Sequence, residues 1–370
     1  MVVALNLLYL IPGVVGGTET YALSLIRSLA ETDGNNDYVV YVNREGADLD
    51  VTPSPNFRKV VCPVAGERRS LRYAWEQAVL PLQLMKVRPD VVHSLGYVVP
   101  LAARVPQVVS VPDLNFIGHR GWQNAVGRRT FRFFVERSVK RADHVITISE
   151  FSKSELLRYL KVPARKITVT HLAGRSTAPV QYGNGNGKCP PSGVSGPYVL
   201  AFSSLSTHKN MRRLIEAFDR IASLVPHSLV LVGHLPQNES FRAGLTRAGG
   251  ERVHFTGYVP AEELESLMRH ASLLAFPSLY EGFGLPVLDA QHAGVPVTCS
   301  RVASLPEVAG DGALYFDPLS VDDMAAAMKR SLLDAELRAE LTRKGFANAA
   351  RFSWARTARE TLAVYAAITP

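Results

Sequence analysis

The stretch YEGFGLPVLD, Tyr280 to Asp289, follows the apolar run SLLAF (272–276), and its reading decides how the chain is built. A short apolar run bounded by Pro and Ser reads as a buried strand. Tyr280 to Leu285 is then the loop at the strand's carboxyl end, and Pro286 takes the first position of a helix, where its missing N–H is tolerated. Gly282 and Gly284 let the backbone come close to a ligand, and the amides of Phe283, Gly284 and Leu285 stand at a helix start, which favours a phosphate. Asp289 falls on the first turn of that helix, about 4 to 5 Å along the axis from Pro286 by helical rise. One carboxylate, Glu281, precedes the phosphate niche and another follows it. A single acid near a helix start ordinarily complements the helix dipole. Two acids bracketing Gly-Phe-Gly-Leu-Pro fit a ligand with an anionic middle and hydroxyls at both ends, the form of a sugar nucleotide.

Working outward, the chain's 370 residues are 47% hydrophobic, enough for two domains that each bury a core. Short apolar runs alternate with amphipathic stretches. In the first half the strand candidates are VVALNLLY, YVVYV, VVH, QVVSV, HVITI and KITVT, separated by helices such as TETYALSLIRSLA, SLRYAWEQAVLPLQLMK and AVGRRTFRFFVERSVKR. Residues 180–197, VQYGNGNGKCPPSGVSGP, carry no period and read as a linker. The alternation then restarts with YVLAF, SLVLVG, VHFTGY, SLLAF, PVTCS and ALYF. The expectation is an α/β chain of two doubly wound, Rossmann-like domains: 1–180, with a last helix at 353–370 crossing back to it, a linker at 181–197, and 198–352. In such sheets ligands bind beyond the carboxyl ends of the strands, here in a central cleft between the domains.

Three scattered cysteines without a C-x-x-C pair argue against a disulfide framework or zinc knuckle and for a reduced, cytoplasmic setting. The opening apolar stretch has no preceding Lys or Arg and reads as a first strand rather than a signal peptide. The net charge of +8 is uneven: residues 1–190 hold 24 Lys and Arg against 15 Asp and Glu, the remainder 17 against 18. With no helix-turn-helix, finger or RNA-recognition motif beside it, that basic half speaks against nucleic acid. It suits an anionic acceptor or weak peripheral contact with an acidic membrane surface, through Arg129, Arg132 and Lys140 of one helix and Arg68, Arg69 and Arg72 of another. Asp48 and Asp50 imitate a D-x-D metal motif outside its usual context, so no metal is expected. The histidines His93, His144, His171, His270 and His292 lack ligand spacing and read as structural.

Two further loops carry chemistry. Gly13, Gly16 and Gly17 lie between the first strand and a helix, and could admit a diphosphate at the helix start. Lys209, after His208, follows the first strand of the second half and could neutralise a departing diphosphate.

With these stretches together, the chain resembles the retaining glycosyltransferases of family 4, of GT-B fold, in their mannosyltransferase-like group. The resemblance runs through GGTE, RPDVVHS, ADHVITISEFSKSEL, HKNMRRLIEAF, the YEGFGLP block and the closing FSWARTARETLAVY. It implies that Glu281 contacts the transferred sugar, Asp289 the nucleotide ribose, Phe283, Gly284 and Leu285 the phosphate and sugar, and Gly16, Gly17, His208 and Lys209 the diphosphate. Glu307 falls where similar segments touch the nucleotide. It also implies a nucleotide diphosphate sugar as co-substrate, no cofactor or metal, and a carbohydrate, lipid-linked or small-molecule acceptor. Three positions depart from the family pattern: Asp289 stands for the usual Glu, Ser204 for an Arg, and Pro112 for a His. Asp113, Asn115 or His119 is left to position the reacting groups, Asp113 first among them. Those departures keep a second reading in view, a catalytically impaired sugar-nucleotide-binding or regulatory partner of the same fold.

Overall fold

The computed structural model describes residues 1–118, 125–175, 196–204, 207–233 and 252–369. The chain divides into two compact units, Met1–Leu172 with Ser353–Pro370, and Ala173–Phe352. The expected linker at 181–197 lies almost wholly outside the described residues, as do His119 and Cys189.

The first unit is built on a seven-stranded sheet: β1 (Val2–Asn6), β2 (Asp37–Val42), β3 (Phe57–Val61), β4 (Val91–Ser94), β5 (Gln107–Ser110), β6 (His144–Thr147) and β7 (Ile167–Val169). Its order is β3-β2-β1-β4-β5-β6-β7, and every pairing is parallel. Parallel strands need helical crossovers that cover both faces, which explains why β4 and β5 are buried at every position. β3 is absent from the sequence reading because FRKVV holds two charges. They are tolerated because β3 ends the sheet, where Lys59 Nζ donates to the carbonyls of Ala47 and Leu49.

The expected single helix SLRYAWEQAVLPLQLMK is two, Arg69–Ala78 and Leu80–Val87. Pro81 cannot donate within a continuing helix, so it starts a new one at its first turn. Arg72 also departs from its expected surface role: it is 8% exposed and turned inward toward Glu76.

The second unit holds a six-stranded parallel sheet in the order β10-β9-β8-β11-β12-β13, from β8 (Tyr198–Phe202), β9 (Ser228–Val232), β10 (Val253–Gly257), β11 (Leu273–Phe276), β12 (Val297–Ser300) and β13 (Ala313–Phe316). Its helices pack two cores, one on each face. The Met211–Ala222 and Val321–Leu333 helices close one with Leu214, Phe218 and Met328, and the Leu285–His292 helix closes the other with Val287 and Ala290. Each sheet reverses its strand order once, between β1 and β4 and between β8 and β11. At such a switch point adjacent loops run to opposite faces and leave room for a ligand.

The Trp354–Ile368 helix belongs to the first unit and packs on the Gly17–Thr32 helix. Cys62 and Cys299 are buried free thiols, and among the described residues no helix is long and apolar enough to cross a membrane.

Candidate active site

At the second switch point the loops after β8 and β11 meet. Lys209 ends a 3-10 turn, Thr207–Lys209, and Glu281 lies five residues beyond β11. Lys209 Nζ is 2.6 Å from Glu281 Oε1, with the two side chains 18% and 15% exposed. The ammonium also lies 5.0 Å from the centre of the Phe276 ring, so it is held by a carboxylate and an aromatic face. Leu279 N donates to His208 O at 2.7 Å and ties the two loops through their backbones.

Asn210, next to Lys209, locks the arrangement. It adopts φ 59°, a left-handed conformation that Asn tolerates better than most residues. Its side-chain amide donates to Pro277 O (3.1 Å) and Pro318 O (2.7 Å), while its oxygen accepts from Arg213. One buried amide thus fixes three loops. Its signal was present in the sequence, an Asn between a loop lysine and a helical period.

The loop around Glu281 is equally constrained. Gly284, at φ 112°, occupies a conformation that needs glycine, and a Cβ there would meet Leu305 Cδ2 at 2.8 Å. The helix begins at Leu285 with Pro286 in its first turn, one residue earlier than the sequence suggests. Ser304 Oγ lies 2.9 Å from Glu281 O and 2.8 Å from Phe283 O, and its single proton serves both carbonyls. The Phe283 ring is buried edge-on against Phe352, 5.9 Å between centroids. Backbone and helix start supply partial positive charge here, and Lys209 the full charge.

Asp289 follows on the same helix. Its Oδ1 accepts from Arg175 N at 2.7 Å, and Gly174 passes so close that a Cβ would stand 3.1 Å from that oxygen and 2.7 Å from His292 Cδ2. Burial pushes the Asp289 carboxyl up to about 6, although the Arg175 N–H and guanidinium favour its charged form. Because the folded value lies above the unfolded one, this group's stabilising contribution is present below about pH 4 and lost as pH rises through 6. Asp289→Asn should therefore raise stability near pH 8 by about 1–2 kcal/mol relative to the parent, and much less near pH 4, in denaturant titrations at the two pH values.

In the first unit Gly16 caps the Gly17–Thr32 helix at φ 60°, ψ −124°, and Gly13 has φ 72°; both are glycine conformations, while Gly17 is ordinary helix. A Cβ on any of the three would meet nothing within 4 Å, so the backbone lies open to a ligand. Asn43, fully buried, donates to Leu8 O and Leu10 O, and Glu19 accepts from Gly13 N. Asp113 accepts from Asn115 N at 3.0 Å and abuts Tyr97, itself at φ 67°. The carboxylate caps the short turn Asn115–Gly118. Glu281, Lys209, His208, Phe283, Gly284, Leu285 and Asp289 thus share one unit, and Gly16, Gly17 and Asp113 the other. Among the described residues no three His, Cys, Asp or Glu side chains group as metal ligands.

Comparison with known proteins gives concordant matches. Residues 191–347 match the family Glycosyl transferases group 1, and residues 15–173 match Glycosyltransferase Family 4. The chain is 35% identical over 242 residues to the O-antigen chain mannosyltransferase B of Escherichia coli, a match covering 62% of each chain, so it spans less than two thirds of that relative. It is 31% identical over 314 residues to the MMP alpha-(1->4)-mannosyltransferase of Mycolicibacterium hassiacum, covering 82% of this chain and 72% of that one. The crystal structure of Anabaena HepE in complex with UDP-glucose superimposes with a TM-score of 0.72 over 99% of this chain and 100% of that one, at 19% identity.

Proposed function

This chain belongs to the glycosyltransferases of GT-B fold, with a family 4 unit followed by a group 1 unit, and on that premise we propose that it moves a hexose from a nucleoside diphosphate sugar to an acceptor hydroxyl with retention at the anomeric carbon. The observation that carries the reading is the Lys209–Glu281 pair, 2.6 Å apart at the switch point of the second sheet and beside a helix start. Glu281 accepts hydrogen bonds from hydroxyls of the transferred sugar, Asp289 from the ribose, and the amides at Gly284 and Leu285 meet the phosphate. Gly16 and Gly17 are assigned to the diphosphate because their backbone is open to close approach.

As the bond between the anomeric carbon and the phosphate oxygen breaks, negative charge grows on the leaving diphosphate. Lys209 and the helix-start amides oppose that charge from fixed positions, which lowers the barrier without reorganisation. The acceptor hydroxyl attacks from the same face, and its proton passes to the leaving phosphate oxygen. That route needs neither a separate base nor a metal, and accommodates Pro112. Both curated relatives described above are mannosyltransferases, which makes mannose the first sugar to test. A glycan, lipid-linked or small-molecule hydroxyl is the acceptor, and the reaction is placed in the cytoplasm. The exposed Phe133 among Arg129, Arg132 and Arg137 of the Ala125–Arg141 helix suits weak contact with an acidic membrane surface.

The test is a panel of UDP-, GDP- and dTDP-sugars with the purified chain and no added metal, following thermal midpoint, diphosphate release and the anomeric configuration of the product. One donor should stabilise the fold and release diphosphate, both effects being lost in Glu281→Ala. A donor that stabilises the fold but releases nothing across a broad acceptor set would favour the impaired binding partner instead.

A further inference from the structure

The first sheet's switch point, between β1 and β4, holds a buried polar cluster that the proposed reaction does not use. Asn6 ends β1 and Ser94 ends β4, and Asn6 Nδ2 lies 3.2 Å from Ser94 Oγ and 3.4 Å from Glu76 Oε1. Glu76, from the Arg69–Ala78 helix, is 2% exposed. Arg72, one turn earlier, brings its Nε to 3.8 Å from Glu76 Oε2, a distance for charge attraction without a hydrogen bond. Both of those atoms are buried without a hydrogen-bond partner. A carboxylate so incompletely satisfied is costly, and an apolar side chain of similar volume would cost less. Its place above the ends of two central strands supplies a reason to keep it.

We infer that Glu76 is a positioning residue for the glycine turn, acting through Asn6. The Asn6 amide has two faces: Nδ2 toward Glu76 and Ser94, and Oδ1 accepting from Leu8 N at 3.1 Å. Leu8 is the second residue of the loop that leads from β1 to the helix start at Gly16 and Gly17. An ionised carboxylate can only accept, so it forces the NH2 face of Asn6 toward itself and leaves Oδ1 for the loop. A group able to both donate and accept permits the flipped amide, which would set an N–H against the Leu8 N–H.

The groups facing Glu76 are Arg72 and Tyr73 on its own helix, Asn6 from β1 and, behind Asn6, Ser94 from β4. Burial raises the Glu76 carboxyl to about 7, while Arg72 and Asn6 pull it down. The folded value exceeds the unfolded one, so the proton favours the fold: this contribution is present below about pH 4.5 and lost as pH rises through 7. The ionised form that orients Asn6 is therefore the less stable one.

That opposition separates positioning from a merely structural role. In the full chain, Glu76→Gln keeps the shape and removes the acceptor-only character. Near pH 8 it should raise the donor KM about fivefold, the worth of roughly one hydrogen bond, with kcat changed less than about twofold. Its thermal midpoint should equal or exceed the parent's, and amide hydrogen exchange should quicken only in Leu8–Gly17. The parent's donor KM should climb toward the variant's as pH falls below 7, and the variant's should stay flat. An unchanged KM and unchanged loop exchange would overturn the inference. So would a KM rise accompanied by a lower midpoint and faster exchange throughout the first sheet. The inference rests on the assignment of Gly16 and Gly17 to the donor diphosphate. If the parent turns over no donor, that assignment fails, while exchange in the loop still decides the role of Glu76.

Discussion

Glu281→Ala is expected to lower kcat/KM for sugar transfer by about two to three orders of magnitude, the scale on which removal of one preorganised charge-stabilising group acts. Lys209→Ala should fall in the same range. The two side chains are mostly sheltered, 18% and 15% exposed, and stand 2.6 Å apart, so their coupling should exceed the ~1 kcal/mol ceiling of surface ion pairs. Each residue holds the other: without Glu281, Lys209 keeps only the Phe276 ring beside it among the contacts described above. The double variant should therefore lose much less than the product of the single losses, as residues acting as a unit do. Diphosphate release under single-turnover conditions for the four chains of this cycle is the measurement. A loss below tenfold in Glu281→Ala would remove the pair from the chemistry and leave it a loop tether.

His93→Leu is expected to destabilise the first unit by about 3 kcal/mol. His93 lies on β4 with no exposed surface, its Nδ1 2.6 Å from Tyr365 Oη and its Nε2 2.7 Å from Ser110 Oγ, which is 2.8 Å from Tyr21 Oη. Leucine would leave two buried hydroxyls short of a partner, at about 1–3 kcal/mol each. Tyr365 sits on the Trp354–Ile368 helix, so this ring fastens the end of the chain to the sheet, with help from Thr357 Oγ1 donating to His171 O. The helix should become a target for limited proteolysis in the variant. Burial holds the His93 imidazole down at about 3, so between about pH 6.5 and 3 the unfolded chain binds a proton that the folded chain refuses. This contribution is present above 6.5 and lost as pH falls, at up to about 1.4 kcal/mol per pH unit. Denaturant titrations at pH 8 and 5 should therefore show the gap between parent and His93→Leu narrowing in acid. A gap below 1 kcal/mol at pH 8 would mean that the helix is held mainly by its packing on the Gly17–Thr32 helix and by the Thr357 hydrogen bond rather than by His93.

Much of this was legible along the chain because parallel strands are buried on both faces and announce themselves as apolar runs. Six of seven strands in the first sheet and all six in the second are visible that way, and the exception, β3, is an edge strand that can carry Arg58 and Lys59. The split at Pro81 was also written in the sequence, since proline restarts a helix more readily than it continues one. The charge of Arg72 looks solvated when read in one dimension; only packing reveals that its helix turns this residue inward to Glu76.

The sequence by itself determined the two α/β units, the glycine turns and the residue types available to bind a diphosphate, because local period and φ preference need only neighbours along the chain. Tertiary structure alone decided the partners. It brought Lys209 to Glu281 across 72 residues, Arg175 to Asp289 across 114 and Tyr365 to His93 across 272. Those meetings depend on strand order, which is set by how helices cover a sheet and leaves no period in the sequence. For the same reason the histidine read as merely structural proved to be the anchor of the last helix, and Asp289 proved to accept from Arg175 N, where the chain enters its second unit.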